Sequence, residues 1–192
     1  MNEIILIGDG GHCKSVIDVI EQQDLFKIAG IVGTSKSVGN EVLGYKIIGK
    51  DCDLQKLSAK YSYALIAFGQ MHSSDKRANL FNLLIKYGYI LPAVISPRAY
   101  VSEHSKIGSG TIVMHDSIVN AGVNIGDNCI INSKALIEHD TIINNHCHVS
   151  TNAVINGNVL IEEGCFIGSG AIAINSIIIK KNSFIKAGVI IK

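Results

Sequence analysis

The chain of 192 residues has no tryptophan, two prolines, 6% aromatic residues and 17% charged residues. So few aromatics supply no stacking platform for bases. A net charge of +1 without any Lys/Arg cluster gives no electrostatic footprint for nucleic acid. Mean hydropathy is +0.32, yet no apolar run approaches the ~18 residues that span a bilayer, so membrane insertion is not expected. A signal peptide is not expected either. The start lacks a cationic region, and Gly8-Asp9-Gly10-Gly11 interrupts the first apolar stretch, which leaves the cytoplasm as the expected location. The five cysteines contain no C-x2-C pair, which argues against zinc and for reduced thiols in a cytosolic protein.

What the sequence has in abundance is order at a period of six. From Ile95 through Val101, Ile107 and Val113 to Ile185 and Ile191, an aliphatic residue returns at every sixth position, Ile or Val at all but Ala173. Sixteen of the 17 anchors are Ile or Val, where the frequency of those residues in the segment predicts about five, so the segment is a repeat architecture. Two places before each anchor lies a second series of mostly small residues, among them Cys129, Ala135, Thr141, Cys147, Ala153 and Cys165. This period is neither that of an α-helix nor that of a simple strand. One bulky and one small inward residue per short strand fill a narrow core, which predicts a β-solenoid with three flat faces, each coil taking three hexads, and about five coils in all. Gly108, Gly126 and Gly168, with Asn120, Asn132 and Asn144 in the same phase, are expected at corners needing left-handed backbone angles. Cys129, Cys147 and Cys165 are then expected to stack as an internal packing ladder.

Both prolines, Pro92 and Pro97, fall where this series begins and divide the chain into domains 1–92 and 95–192. The first half predicts a small α/β domain with a parallel sheet: strands at Glu3–Ile7, Ile28–Val32, Tyr45–Ile48 and Ala64–Phe68, a helix through Val16–Ile20 and another at about Asp75–Tyr87. Its first turn, Gly8-Asp9-Gly10-Gly11-His12, suits a phosphate, because bare backbone N–H groups and a helix N-terminus face the same point; it is equally a tight turn without a ligand. The third glycine of a dinucleotide fingerprint is replaced by Cys13, and Val32-Gly33-Thr34 supplies no acidic residue after the second strand, which argues against NAD.

Among seven histidines the most suggestive is His139 in Glu138-His139-Asp140, where a strand gives way to a corner. An imidazole beside a carboxylate can act as a general base near neutral pH; the same three polar residues would also suit a solvated corner. No metal is expected. A γ-class carbonic anhydrase needs two zinc-binding histidines separated by four places on such a solenoid, and His115, His139, His146 and His148 lack that spacing. A sugar-nucleotidyltransferase is disfavoured by the short first half, and a non-catalytic interaction subunit is the remaining rival.

The motifs Ile4-Ile5-Leu6-Ile7-Gly8-Asp9-Gly10-Gly11-His12, Ala67-Phe68-Gly69 and Ala135-Leu136-Ile137-Glu138-His139-Asp140, followed by the hexad repeat, resemble the NeuD/PglD family of bacterial sugar O- and N-acyltransferases. The resemblance runs from residue 2 to about residue 190. It implies a Rossmann-like N-terminal domain followed by a left-handed parallel β-helix, a handedness that the usual right-handed crossover rule would not give. It also implies acetyl-CoA as co-substrate, a sugar or nucleotide-sugar acceptor, and a homotrimer holding the acyl donor between neighbouring prisms. By the same resemblance, His139 is the general base and Asp140 its orienting partner. Asn132 contacts the acceptor, His148 lies near the thioester and Gly157 beside the pantetheine arm. Gly8, Asp9, Gly10, Gly11, His12 and Gly69 form the sugar-nucleotide pocket. N-acetylation of a nucleotide-linked 4-amino-4,6-dideoxy sugar is the favoured reaction, and O-acetylation of a sialic-acid-type sugar the alternative. Gly33-Thr34-Ser35 stands in place of acidic residues that family members often carry. The sequence also ends at Lys192 without the usual Gly-x-Pro-Ala closing segment, so donor contacts from that segment are expected to be lost or replaced, unless the sequence is a shortened form.

Overall fold

The computed structural model describes residues 1–192, which form two compact units. One comprises 1–69 and 79–92, the other 70–78 and 93–192.

The first unit is built on the uninterrupted apolar run Ile4-Ile5-Leu6-Ile7, which reads as a strand buried on both faces. It forms β1 (Asn2–Ile7), with its last four residues buried. With β2 (Phe26–Gly33), β3 (Glu41–Val42), β4 (Tyr45–Lys50) and β5 (Tyr63–Ile66) it makes a sheet of order β3-β4-β2-β1-β5. All pairings are parallel except β3 with β4. Helix α1 (Gly11–Gln23) turns Cys13, Val16, Ile17, Val19 and Ile20 inward and stops at Asp24, whose left-handed φ of 54° ends the helix. A single short turn, α2 (Leu54–Leu57), and α3 (Asp75–Lys86) complete the element order. Leu80, Phe81 and Leu84 of α3 join Ile5, Ile7, Ala64 and Ile66 in one apolar cluster. The strands and the two long helices stand where the sequence places them, to within a few residues. The two-residue β3 and the one-turn α2 are too short to show a period.

The second unit is a parallel β-solenoid of triangular section. Two-residue strands stack into faces of six, six and five strands. The first face runs from Val94–Ile95 to Phe184–Ile185, the second from Tyr100–Val101 to Ile190–Ile191, the third from Lys106–Ile107 to Ile178–Ile179. Each strand pairs in register with its counterpart in the next coil, as Ile118 does with Leu136 and Ile137 with Ile155. The anchors and the small residues before them form one core, with Val119, Ile137, Ile143, Ile155, Cys129, Cys147, Ala153 and Cys165 at 1% exposure or less. The cysteine ladder does more than fill space. Cys129, Cys147 and Cys165 direct their Sγ atoms at the backbone oxygens of Asn144, Glu162 and Lys180 at 3.0–3.2 Å, so each thiol ties its coil to the next. All five cysteines are free thiols.

The corners correct one expectation. The left-handed residues are not those directly after an anchor but those three places after it. From Gly110 through Asp116, Gly122, Asn128, Lys134 and Asp140 to Asn182 and Gly188, every sixth residue has φ between 54° and 76°. Gly108, Gly126 and Gly168 are glycines for a different reason. A Cβ at each would lie within 2.5 Å of an atom of the next coil, such as the backbone carbon of Gly126 or the amide of Ala187. Close stacking, not backbone freedom, excludes a side chain there.

The segment Gln70–Ala78, placed by sequence in the first domain, packs with the solenoid. Gln70 Nε2 donates to the carbonyls of Gly164 and Cys165, and its own carbonyl accepts from His148. His72 stacks on Phe184, which stacks in turn on Phe166. The Arg77 guanidinium, fully buried, donates to Asn128 Oδ1 at 2.8 Å. These are long-range polar and aromatic contacts that no local periodicity announces.

Candidate active site

His139 and Asp140 sit in the turn between the second face (Leu136–Ile137) and the third (Ile142–Ile143). The turn sets Asp140 at φ 60°, a conformation that aspartate tolerates better than most L-residues. His139 Nδ1 lies 2.8 Å from Asp140 Oδ2, with the two side chains 62% and 67% exposed. A carboxylate only accepts, so Nδ1 carries the hydrogen and the Nε2 lone pair is the basic one. The ring is neither inside the coil stack nor engaged at Nε2 by a side chain of its own turn. Glu138, the residue before, is held by Asn120 of the preceding coil, whose Nδ2 donates to Oε2 at 2.8 Å. The sequence marks Asn120 only as a corner residue; its hold on Glu138 follows from its standing at the phase of Glu138, three hexads earlier.

Gly157 lies one coil beyond His139. A Cβ there would come within 2.7 Å of His139 Cε1 and 2.8 Å of Nε2, so the basic edge of the imidazole overlies a bare backbone.

Asn132 and His148 fall elsewhere. Asn132 opens the corner after the first face, and His148 belongs to that face itself. His148 is buried at 6% exposure, not at a solvent-facing corner. Its Nδ1 lies 2.8 Å from the Gln70 carbonyl, and Asn132 Nδ2 lies 3.3 Å from its Nε2. Because a carbonyl accepts, Nδ1 is the donor and Nε2 accepts from Asn132. Burial, opposed in part by the Gln70 bond and aided by nearby Arg77, pushes the His148 pKa down to about 4, so the ring is neutral at physiological pH. Within one chain these two residues form one group, and His139, Asp140 and Gly157 another, on different sides of the prism.

In the first unit, the loop Gly8–His12 follows the carboxyl end of β1, whose two neighbours are β2 and β5. Strand order reverses there, which is where open α/β sheets take ligands. Gly8 (φ 118°) must be glycine on space as well, since a Cβ would sit 3.0 Å from Phe68; Gly69 follows in the same loop after β5. Gly10 caps α1 without a side-chain hydrogen bond, and no acidic residue occupies the first turn, so the helix start is open to an anion. Asp9 behaves differently from its neighbours. Its carboxylate accepts from Thr34 N at 3.2 Å and from Ser37 Oγ, and a Cβ on Gly33 would meet it at 2.6 Å. Asp9 therefore brings the negative charge that the sequence after β2 lacks. Cys13, at the third glycine position, is a buried thiol whose pKa burial, with a smaller push from Asp9, raises to about 12; it is no nucleophile. Beyond β2 and β4, Gly33, Thr34, Ser35, Lys50, Asp51 and Cys52 line a cleft of about 340 Å³.

Comparison with known proteins bears on the whole chain. The PglD N-terminal domain model matches residues 3–83, the bacterial transferase hexapeptide model residues 104–139, and the succinyl-transferase hexapeptide repeat residues 158–192. The chain is similar to PerB from Caulobacter crescentus, solved with CoA and GDP-perosamine, at 30% identity and a TM-score of 0.92, covering 100% of this chain and 89% of that one. A histidine-to-asparagine variant of perosamine N-acetyltransferase from the same organism, also with CoA and GDP-perosamine, gives 29% identity, the same coverage and a TM-score of 0.93. The acetyltransferase domain of PglB from Neisseria gonorrhoeae, solved with acetyl coenzyme A, gives 28% identity, coverage of 100% and 92%, and a TM-score of 0.90. No curated protein sequence matches the chain.

Proposed function

The chain belongs to the NeuD/PglD family of bacterial sugar acyltransferases, enzymes with a left-handed hexapeptide β-helix, and on that footing we propose that it moves the acetyl group of acetyl-CoA onto the amine of a nucleotide-linked 4-amino-4,6-dideoxy sugar. The observation that carries this reading is the His139–Asp140 pair on an exposed corner, its Nε2 lone pair directed over Gly157. The acceptor amine attacks the thioester carbonyl carbon while His139 Nε2 takes the amine proton. Asp140 holds the Nδ1 hydrogen and stabilises the imidazolium, and the proton passes to the departing CoA sulfur as the C–S bond breaks. No covalent enzyme intermediate is needed, because binding aligns the two reactants.

The nucleotide end falls to the first unit in this reading. Gly8, Gly10, Gly11 and His12 with the open start of α1 receive the diphosphate, Gly69 flanks it, and Asp9 shapes the neighbouring loop. The cleft beyond β2 and β4, with Thr34, Ser35 and Lys50, suits a polar base or ribose. PerB carries GDP-perosamine, which supports a nucleotide-activated amino sugar over free sialic acid.

The homotrimer has its own support. The outward residues of the second face form an apolar ladder from Tyr100 through Ile118, Leu136, Val154 and Ile172 to Ile190, of which Tyr100 and Ile190 are 60% and 57% exposed. Ile142 and Ile178 on the third face are exposed as well. Such contiguous apolar surface marks an interface. A trimer would also unite what one chain separates, setting Asn132 and His148 of one copy by the His139 corner of the next, with the acyl donor in the seam.

The test is thiol release from acetyl-CoA with GDP- and UDP-linked 4-amino sugars and free sialic acid as acceptors. His139→Ala should lower kcat by about 10²–10⁴-fold while remaining folded. Undiminished turnover in that variant, or acetylation of free sialic acid alone, would refute the proposal.

A further inference from the structure

We infer that Gly122 and Gly157 are positioning residues that set the geometry of the His139–Asp140 pair, each by withholding one methyl group. This rests on the reading of His139 as the base.

In the solenoid, equivalent residues of successive coils stack vertically, so His139 has Gly157 above it and Asp140 has Gly122 below it. Among the 16 residues two places beyond an anchor, from Pro97 to Ala187, Gly157 is the single glycine. Its backbone does not ask for one, because it is not among the glycines with positive φ. Space does: a Cβ would lie 2.7 Å from Cε1 and 2.8 Å from Nε2 of the His139 ring. On the opposite side, a Cβ on Gly122 would lie 2.6 Å from Asp140 Oδ1. The pair is therefore seated between two bare backbones in the flanking coils. A methyl at either one displaces a different partner of the same 2.8 Å hydrogen bond. A misplacement of order 1 Å at a catalytic centre costs on the order of 10²-fold in rate, so neither seat is neutral.

Gly170 supplies a matched control for Gly122. Both stand three places after an anchor with left-handed φ (66° and 76°), but a Cβ on Gly170 meets nothing within 4 Å. Alanine imposes the same backbone strain at both and crowds a carboxylate at only one.

The experiment compares Gly157→Ala, Gly122→Ala and Gly170→Ala by steady-state kinetics with acetyl-CoA and a nucleotide-linked 4-amino sugar, alongside His139→Ala. The expected result is a kcat about 10–100-fold lower in Gly157→Ala and Gly122→Ala, with both KM values within about two-fold of the parent, and an unchanged kcat in Gly170→Ala. Gly157→Ala should add no further loss in a His139→Ala background, since it acts through the imidazole. Nitrogen-15 NMR should show the Nδ1–H signal of His139 in the parent protein and its loss or shift in both affected variants. Full kcat in Gly157→Ala while His139→Ala is inactive would overturn the seating role and leave the base intact. A raised KM for acetyl-CoA alone would overturn it in favour of a donor channel over Gly157. If Gly157→Ala does not fold, the Gly122→Ala and Gly170→Ala pair decides, and equal kcat in those two defeats the inference. Turnover surviving in His139→Ala is the separate result that removes the underlying reading.

Discussion

His148 makes the stability of the solenoid depend on pH in a direction and size that follow from its surroundings. The ring is buried beneath the Gln70 carbonyl, accepts from Asn132, stands edge-on to Phe166 and has Arg77 as its charged neighbour. Protonation would place a second cation near a fully buried guanidinium. Its pKa falls from 6.5 to about 4 on folding, so between those values the unfolded chain binds more protons than the folded one. The stabilisation is complete above pH 6.5 and is lost as pH falls. Linkage gives a loss of about 2 kcal/mol by pH 5 and about 3 kcal/mol near pH 4. Urea unfolding between pH 7.5 and pH 5, followed by a solenoid probe, should show a midpoint falling by about 1 M for a slope of ~2 kcal/mol/M. His146, also depressed by burial, contributes with the same sign, so the comparison that isolates His148 is His148→Asn, which keeps an amide donor for Gln70. That variant should be less stable at pH 7.5 yet lose less on acidification. An identical pH slope in parent and variant would refute the reasoning.

Three further outcomes are expected. Ile118→Glu with Ile172→Glu places charges on the apolar ladder of the second face; sedimentation should show a trimer in the parent and smaller species in the variant, with activity lost alongside. Co-expressing Asn132→Ala with His139→Ala should then restore roughly a quarter of parental activity if each seam draws the two residues from different copies; no recovery would place them in one copy. Cys147→Ser keeps a donor toward the Glu162 carbonyl and should change stability by about 1 kcal/mol or less, whereas Cys147→Leu overpacks the coil and should cost about 1–3 kcal/mol by denaturant unfolding.

The period of six made the solenoid legible because each coil repeats the same packing problem, and Ile137 or Val149 answers it in only one way. The Glu138-His139-Asp140 corner was legible for the same reason, since phase alone puts these residues at a turn and not in the core. What escaped were features that depend on neighbours a whole coil away or more. The glycines after the anchors were read as conformational when Gly126 and Gly168 serve close stacking. The left-handed positions, rich in Gly, Asn and Asp, carried a signal two places further on. The hydrogen bonds that tie the Asp9 carboxylate to Thr34 and Ser37 in the loop beyond β2 likewise have no local signal, since these partners stand 25 and 28 residues away. His148 gave no sign of burial, because Gln70, which covers it, comes from well before the repeat begins.

The vertical stacking at each corner limits how many such sites a prism can hold. The bare backbone that gives His139 its place is the very position that would have to bear the imidazole of a site one storey up. Two reaction centres of this kind exclude each other on adjacent turns of the same edge, so an edge could be furnished at most on alternate floors.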